Sequence, residues 1–292
     1  MRNTCLDQIY ELAKIDPRIV FIGSDLRLGT LQQFKDEFPD RYFMEGICEQ
    51  NIIGMAAGLA MDGFIPYVNT IATFLTRRCY EQVALDICLH DLPVRLIGNG
   101  GGLVYGPLGP THTAIEDISL MRNLPNMAVV CPSDAEEMKL LMLQTLDYPH
   151  PIYIRIGKGF VDPVIPYIDR FEIGQSRMTY FTKSPEILII STGLTTDIAR
   201  KVAVLLGNAE VMHIHTVKPL PWLTIRDGIK KIITIEEHME NGGLGSAILE
   251  LTRGNIPVKR FGIPNQFIKQ YGAWDELMDI CGLTPEKIVA QL

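Results

Sequence analysis

Short runs of branched apolar residues recur along this chain, each bounded by Gly, Pro or Asp and followed by a helix-length segment. Ile19-Val20-Phe21-Ile22-Gly23 is the first clear case, and Val94-Arg95-Leu96-Ile97-Gly98 is another. A strand that is apolar on both faces must be covered on both faces, which is the situation in a parallel sheet layered by helices. Alternation of such strands with helices therefore points to an α/β architecture with mainly parallel sheets. In the first half, strands are predicted over 19–23, 94–98, 127–130 and 151–156, with a short extended piece at Tyr42 and Phe43. Helices are predicted over 7–15, 51–61, 76–90, 116–122 and 134–146, the last with Ser133 as its N-cap. The 51–61 segment is hydrophobic nearly all round and reads as buried.

Residues 162–185 hold three prolines and lose the periodicity. A second α/β run follows, with strands over 187–191, 209–213, 231–236 and 258–261 and helices over 196–206 and 243–252. The chain of 292 residues thus divides into a domain at 1–165, a linker at 166–182 and a domain at 183–292. Hydrophobic residues make up 47%, enough at this length to build a core without metals or disulfides. A net charge of −7 gives no electrostatic case for nucleic acid or an anionic membrane. The longest near-continuous apolar run, 52–61, is interrupted by Gly54 and Gly58, so no membrane span is expected. The opening residues lack the apolar stretch of a signal peptide. The six cysteines form no C-x-x-C pair and read as reduced thiols of a cytoplasmic protein.

Three segments carry candidate chemistry. Gly46-Ile47-Cys48-Glu49-Gln50-Asn51 puts a glutamate at the mouth of an apolar helix. It reads either as a first-turn carboxylate favoured by the helix dipole or as a carboxylate kept in an apolar site for proton transfer. Thr73-Phe74-Leu75-Thr76-Arg77-Arg78 is either a core face beside a solvated face or a site where Phe74 stacks on a flat heterocycle. The glycine-rich stretch from Asn99 to His112 lets backbone approach a ligand. Its His112 is either a structural histidine or an acid, base or hydrogen-bond donor. His213-Ile214-His215 lacks further metal ligands nearby, and Gly242-Gly243-Leu244-Gly245 opens a helix in a way that suits phosphate but lacks a full dinucleotide fingerprint.

Ser24-Asp25-Leu26, Gly46 to Asn51, Thr73-Phe74 with Arg77, and Gly109-Pro110-Thr111-His112 follow one another in an order and spacing that resembles the C-terminal half of transketolase and deoxyxylulose-phosphate synthase. Glu236-Glu237-His238 and Gly242 to Ser246 resemble the C-terminal domain of that family. The resemblance implies a pyrimidine-binding domain followed by that C-terminal domain, and thiamin diphosphate as cofactor. It implies that Glu49 hydrogen-bonds N1′ of the aminopyrimidine, in a relay that ends in deprotonation of thiazolium C2. Ile47 then supports the bent cofactor, Phe74 packs on the aminopyrimidine, and Asp25 and Arg77 belong to the cofactor site. His112 faces the reacting carbonyl oxygens, and Arg155 holds substrate phosphate.

The diphosphate-binding domain of the family is missing from the sequence, as is its Gly-Asp-Gly motif. The resemblance therefore implies one subunit of a split transketolase, transferring a two-carbon ketol unit between sugars. An N-terminal-half partner would hold Mg²⁺ or another divalent ion, and this chain would hold no metal. Gly54, Ala57 and Gly58 suggest a homodimer through the N-terminal domain, giving an α2β2 assembly. The acceptor side departs from the family, because Leu108 stands where an acidic residue is common and no basic residue opens the glycine loop. Alternatives are the β subunit of a 2-oxoacid dehydrogenase, a deoxyxylulose-phosphate-synthase-like enzyme, or a catalytically silent scaffold subunit.

Overall fold

The computed structural model describes residues 1–24, 29–157 and 170–292. The first run of elements is α1 (Arg2–Ile15), β1 (Ile19–Ser24), α2 (Gln32–Glu37), β2 (Tyr42–Glu45), α3 (Glu49–Met61) and β3 (Ile65–Ile71). A helical stretch follows, in which wide π-type turns at Phe74–Arg78 and Val83–Leu89 flank α4 (Tyr80–Gln82). Then come β4 (Arg95–Asn99), α5 (Asp117–Arg122), β5 (Ala128–Val130), α6 (Ala135–Gln144) and β6 (Ile152–Ile156). The second run is β7 (Arg177–Tyr180), β8 (Ile187–Ser191), α7 (Thr195–Leu206), β9 (Ala209–His213), β10 (Thr216–Lys218), β11 (Lys231–Met239), α8 (Leu244–Thr252), β12 (Val258–Ile263), α9 (Trp274–Ile280) and α10 (Pro285–Val289).

Two mainly parallel sheets result, as the apolar runs require. The larger has seven strands in the order β10-β5-β6-β4-β3-β1-β2, and the smaller has five in the order β12-β11-β8-β9-β7. Apolar clusters cover both faces of each sheet. Arg95, buried in β4, is tolerated because its guanidinium donates to the carbonyls of Thr145, Tyr148 and His150 just beyond α6.

Several expectations need correction. β7 lies in the stretch read as linker, and the remainder of that expected linker overlaps residues outside those described. It is an antiparallel edge strand whose four residues are only half-buried, so it is held by pairing with β9 and carries no apolar run to reveal it. β10 is three residues long and leaves its own domain to pair antiparallel with β5. α9 and α10 are too short for the periodicity to reveal them. The N-cap of α6 is Asp134, whose side chain accepts from Glu137 N, whereas Ser133 is bonded to the Glu137 carboxylate.

α3 is not buried all round. Ile52, Ile53, Ala56, Ala57 and Ala60 face the core, while Asn51, Gly54, Gly58 and Met61 are exposed. Ala57 therefore belongs to the core and not to an exposed glycine face. Gly54 and Gly58 have open space where a Cβ would stand.

Candidate active site

In a parallel sheet, ligand sites form beyond the carboxyl ends of the strands, where the connecting loops gather. Ser24 closes β1, α3 follows β2, Phe74 follows β3, and the glycine-rich loop leaves β4. Glu49 is the first residue of α3 and is 1% exposed. Its Oε1 accepts from Ser24 Oγ at 3.1 Å and its Oε2 from Arg78 Nη1 at 2.5 Å. The helix N-terminus and the guanidinium both complement the carboxylate's negative charge. The same guanidinium lies 4.1 Å from the centroid of the Phe74 ring. Phe74 in turn meets the His112 imidazole edge-on, with centroids 5.3 Å apart. Glu49, Phe74 and His112 are therefore linked through direct neighbours.

Ile47 sits just before this cluster and is 71% exposed. Arg77 braces the histidine loop: Nε pairs with Glu116 at 3.0 Å and Nη2 donates to the carbonyls of Thr111 and Thr113. His112 Nδ1 lies 2.9 Å from Thr111 Oγ1. Asp25 lies outside the described residues.

Arg155 stands elsewhere. It is 6% exposed, with Nε on Asp117 at 2.8 Å and Nη2 on the Glu237 carbonyl at 2.7 Å. The guanidinium is buried between the domains, with Nε and Nη2 engaged by protein groups. The Asp117 carboxylate beside it holds its charge firmly even against burial.

The C-terminal motifs are structural. Glu236 accepts from Leu244 N and Gly245 N, so the N-terminus of α8 is capped by a protein carboxylate and offers no phosphate cradle. His213 Nε2 lies 2.9 Å from Glu137 Oε2 and Nδ1 lies 2.7 Å from Thr196 Oγ1. Among the described residues no cluster of His, Cys, Asp or Glu is arranged to hold a metal ion. The sequence does not single out Ser24 and Arg78 as the two partners of Glu49. Arg78 adjoins Arg77, and only the phase of the helical turn separates their roles.

Fold and site together define a two-domain α/β protein with a buried carboxylate and an aromatic face at the carboxyl edge of its larger sheet. The chain belongs to the transketolase family: the model of the transketolase pyrimidine-binding domain matches residues 1–162, and that of the transketolase C-terminal domain matches 178–288. It is 34% identical to an apulose-4-phosphate transketolase subunit of Phocaeicola vulgatus over 296 residues, covering 98% of this chain and 94% of that one. It is 33% identical to the 6-deoxy-6-sulfo-D-fructose transketolase subunit SqwH of a Clostridium species, covering 99% and 92%. Its fold matches a solved split gene transketolase, described as an inactive beta4 tetramer, with a TM-score of 0.86, 31% identity and coverage of 99% and 95%. Among the described residues no helix is long and apolar enough to cross a membrane.

Proposed function

We propose that this chain is the pyrimidine-side subunit of a thiamin-diphosphate-dependent transketolase and that it acts with a separate subunit carrying the diphosphate and divalent-ion site. The observation that carries this reading is the way Arg78 sits. A flat cation already stacks on Phe74 while donating to the buried Glu49 carboxylate. A protonated aminopyrimidine presents the same two features, a flat face and an N–H donor, so the residues fit that group.

When bound, thiamin diphosphate supplies the carbon nucleophile for ketol transfer. Glu49 would hold the proton at N1′ of the aminopyrimidine, and the short charge-assisted hydrogen bond suits a carboxylate kept from water. Phe74 would pack on the ring and exposed Ile47 would support the cofactor from the other side, and Asp25 is assigned to the same site by the family resemblance alone. Arg77 would act by bracing the loop that carries His112, and His112 would hydrogen-bond the reacting carbonyl oxygens. Relatives named for apulose-4-phosphate and for a sulfonated fructose support a ketose, phosphorylated or not, as donor. Leu108, half-exposed on the glycine loop, leaves the acceptor side with less charge than the family usually has.

The exposed Gly54, Gly58 and Met61 face of α3 is the contact proposed for a homodimer, on which two partner subunits would complete an α2β2 enzyme. Calorimetry on the isolated chain, followed by a ketol-transfer assay on mixed subunits, tests the whole reading. Weak cofactor binding alone and activity only in the mixture are expected. Tight, magnesium-dependent binding by the isolated chain would sink the split-enzyme reading.

A further inference from the structure

His112 is tied to the C-terminal domain by an unbroken series of backbone links. His112 N donates to Gly109 O at 3.0 Å, Gly109 N to Gly106 O at 2.9 Å, and Gly106 N to Leu103 O at 2.8 Å. Leu103 N, the head of this series of three-residue turns, donates to Glu237 Oε1 at 2.6 Å. Glu237 belongs to β11 of the other domain and is 3% exposed.

The steps of the series also abut that domain. A Cβ on Gly102 would collide with the Glu237 carboxyl, one on Gly106 with Leu277 and the Gly272 carbonyl, and one on Gly109 with the Tyr271 ring. Gly102 and Gly109 have φ of +68° and +80°, values that side chains other than glycine's rarely adopt. The loop is thus moulded onto the C-terminal domain along its length. The neighbouring residues of β11 fasten the far side of the same segment: Met239 N donates to Ile115 O at 2.8 Å, and His238 Nε2 accepts from Ser119 N at 3.1 Å.

We propose that Glu237 is a positioning residue for the reaction: through Leu103 and the glycine series it sets where His112 stands, so the C-terminal domain takes part in substrate alignment without touching substrate. This rests on His112 being the histidine that meets the substrate. Small displacements of an aligned group are costly to turnover, about 10²-fold for roughly 1 Å.

The test uses three variants of the full chain. Glu237→Gln keeps an oxygen acceptor for Leu103 N, Glu237→Leu keeps the volume and removes the acceptor, and Glu237→Asp withdraws the acceptor by one methylene. The NMR signal of the His112 Cε1–H group, identified by its loss in His112→Asn, is read in the isolated chain. The signals of His90 and His150 serve as controls. Glu237→Leu, or Glu237→Asp should the leucine variant not fold, is expected to move the His112 signal and leave the controls. In the reconstituted complex the same variant is expected to lower kcat about 10–10²-fold. Glu237→Gln is expected to restore both towards wild type. An unmoved His112 signal in the folded acceptor-deficient variant would overturn the proposal. A wild-type complex without ketol transfer would remove the enzymatic reading, while the His112 signal would still decide whether Glu237 positions it.

Discussion

Arg78 Nη1 lies 2.5 Å from Glu49 Oε2, and the guanidinium that makes this bond also covers the face of Phe74. One side chain, 41% exposed, therefore satisfies a carboxylate that is almost wholly buried. Without it Glu49 would keep only Ser24 Oγ and the helix terminus as support. The pair explains how an isolated chain tolerates a buried carboxylate at the place where a proton-holding group is needed.

Glu49→Gln is expected to abolish most turnover in the reconstituted complex, by about 10²–10⁴-fold, because the amide keeps the shape but cannot take up a proton. The fold should survive, since the Gln carbonyl can still accept from Arg78 while its NH2 turns to the Ser24 hydroxyl oxygen. Steady-state ketol transfer with a circular dichroism control checks this, and near-full activity would remove Glu49 from the catalytic role.

Arg78→Ala is expected to destabilise the isolated chain by about 1–3 kcal/mol, the cost of leaving a buried acceptor without its charged donor. Urea unfolding at neutral pH measures it. A change within error would mean that solvent replaces the guanidinium at no cost.

Stability should fall on both sides of mildly acidic pH. Burial alone would raise Glu137, but the His213 imidazole and the Ser133 N–H draw it down to about 2. A carboxyl lowered in the folded state contributes stability above its unfolded value of 4.5, and that contribution is lost as pH falls towards about 2. Burial raises Glu236 and Glu237 to about 7, so each binds its proton more tightly folded than unfolded, and stability is lost as pH rises from 4.5 to about 7. Melting temperatures from pH 3 to pH 8 should therefore peak near ~5. Glu137→Gln should flatten the acid limb and Glu237→Gln part of the upper limb; limbs unchanged in both variants would contradict these assignments.

Gly58→Glu is expected to weaken self-association of the isolated chain, because it sets a charge on the exposed face of α3 where a side chain would meet open space. The fold of the single chain should be untouched for the same reason. Light scattering with and without the substitution decides, and unchanged assembly would move the interface elsewhere.

The sequence alone was enough for the local parts of this protein. Apolar runs such as 19–23 and 187–191 predict buried parallel strands, and each is found within a residue of its expected ends. The segments around Glu49, Phe74 and His112 stand out in the sequence, but β3, which carries Phe74 to the sheet edge shared with the other two, has no counterpart among the expected strands. The legible features depend on residues near one another in the chain, where periodicity and capping leave a mark. Tertiary structure decided the rest. It made Arg78 and not Arg77 the partner of Glu49, which turns on the phase of one helical turn. It set Arg155 in a buried pair with Asp117 and against the Glu237 carbonyl. It also carried β10 into the sheet of the first domain and set Glu237 against Leu103, 134 positions away. Such contacts join groups whose separation along the chain carries no periodic signal, so only tertiary packing, within the first domain and between the two domains, determines them.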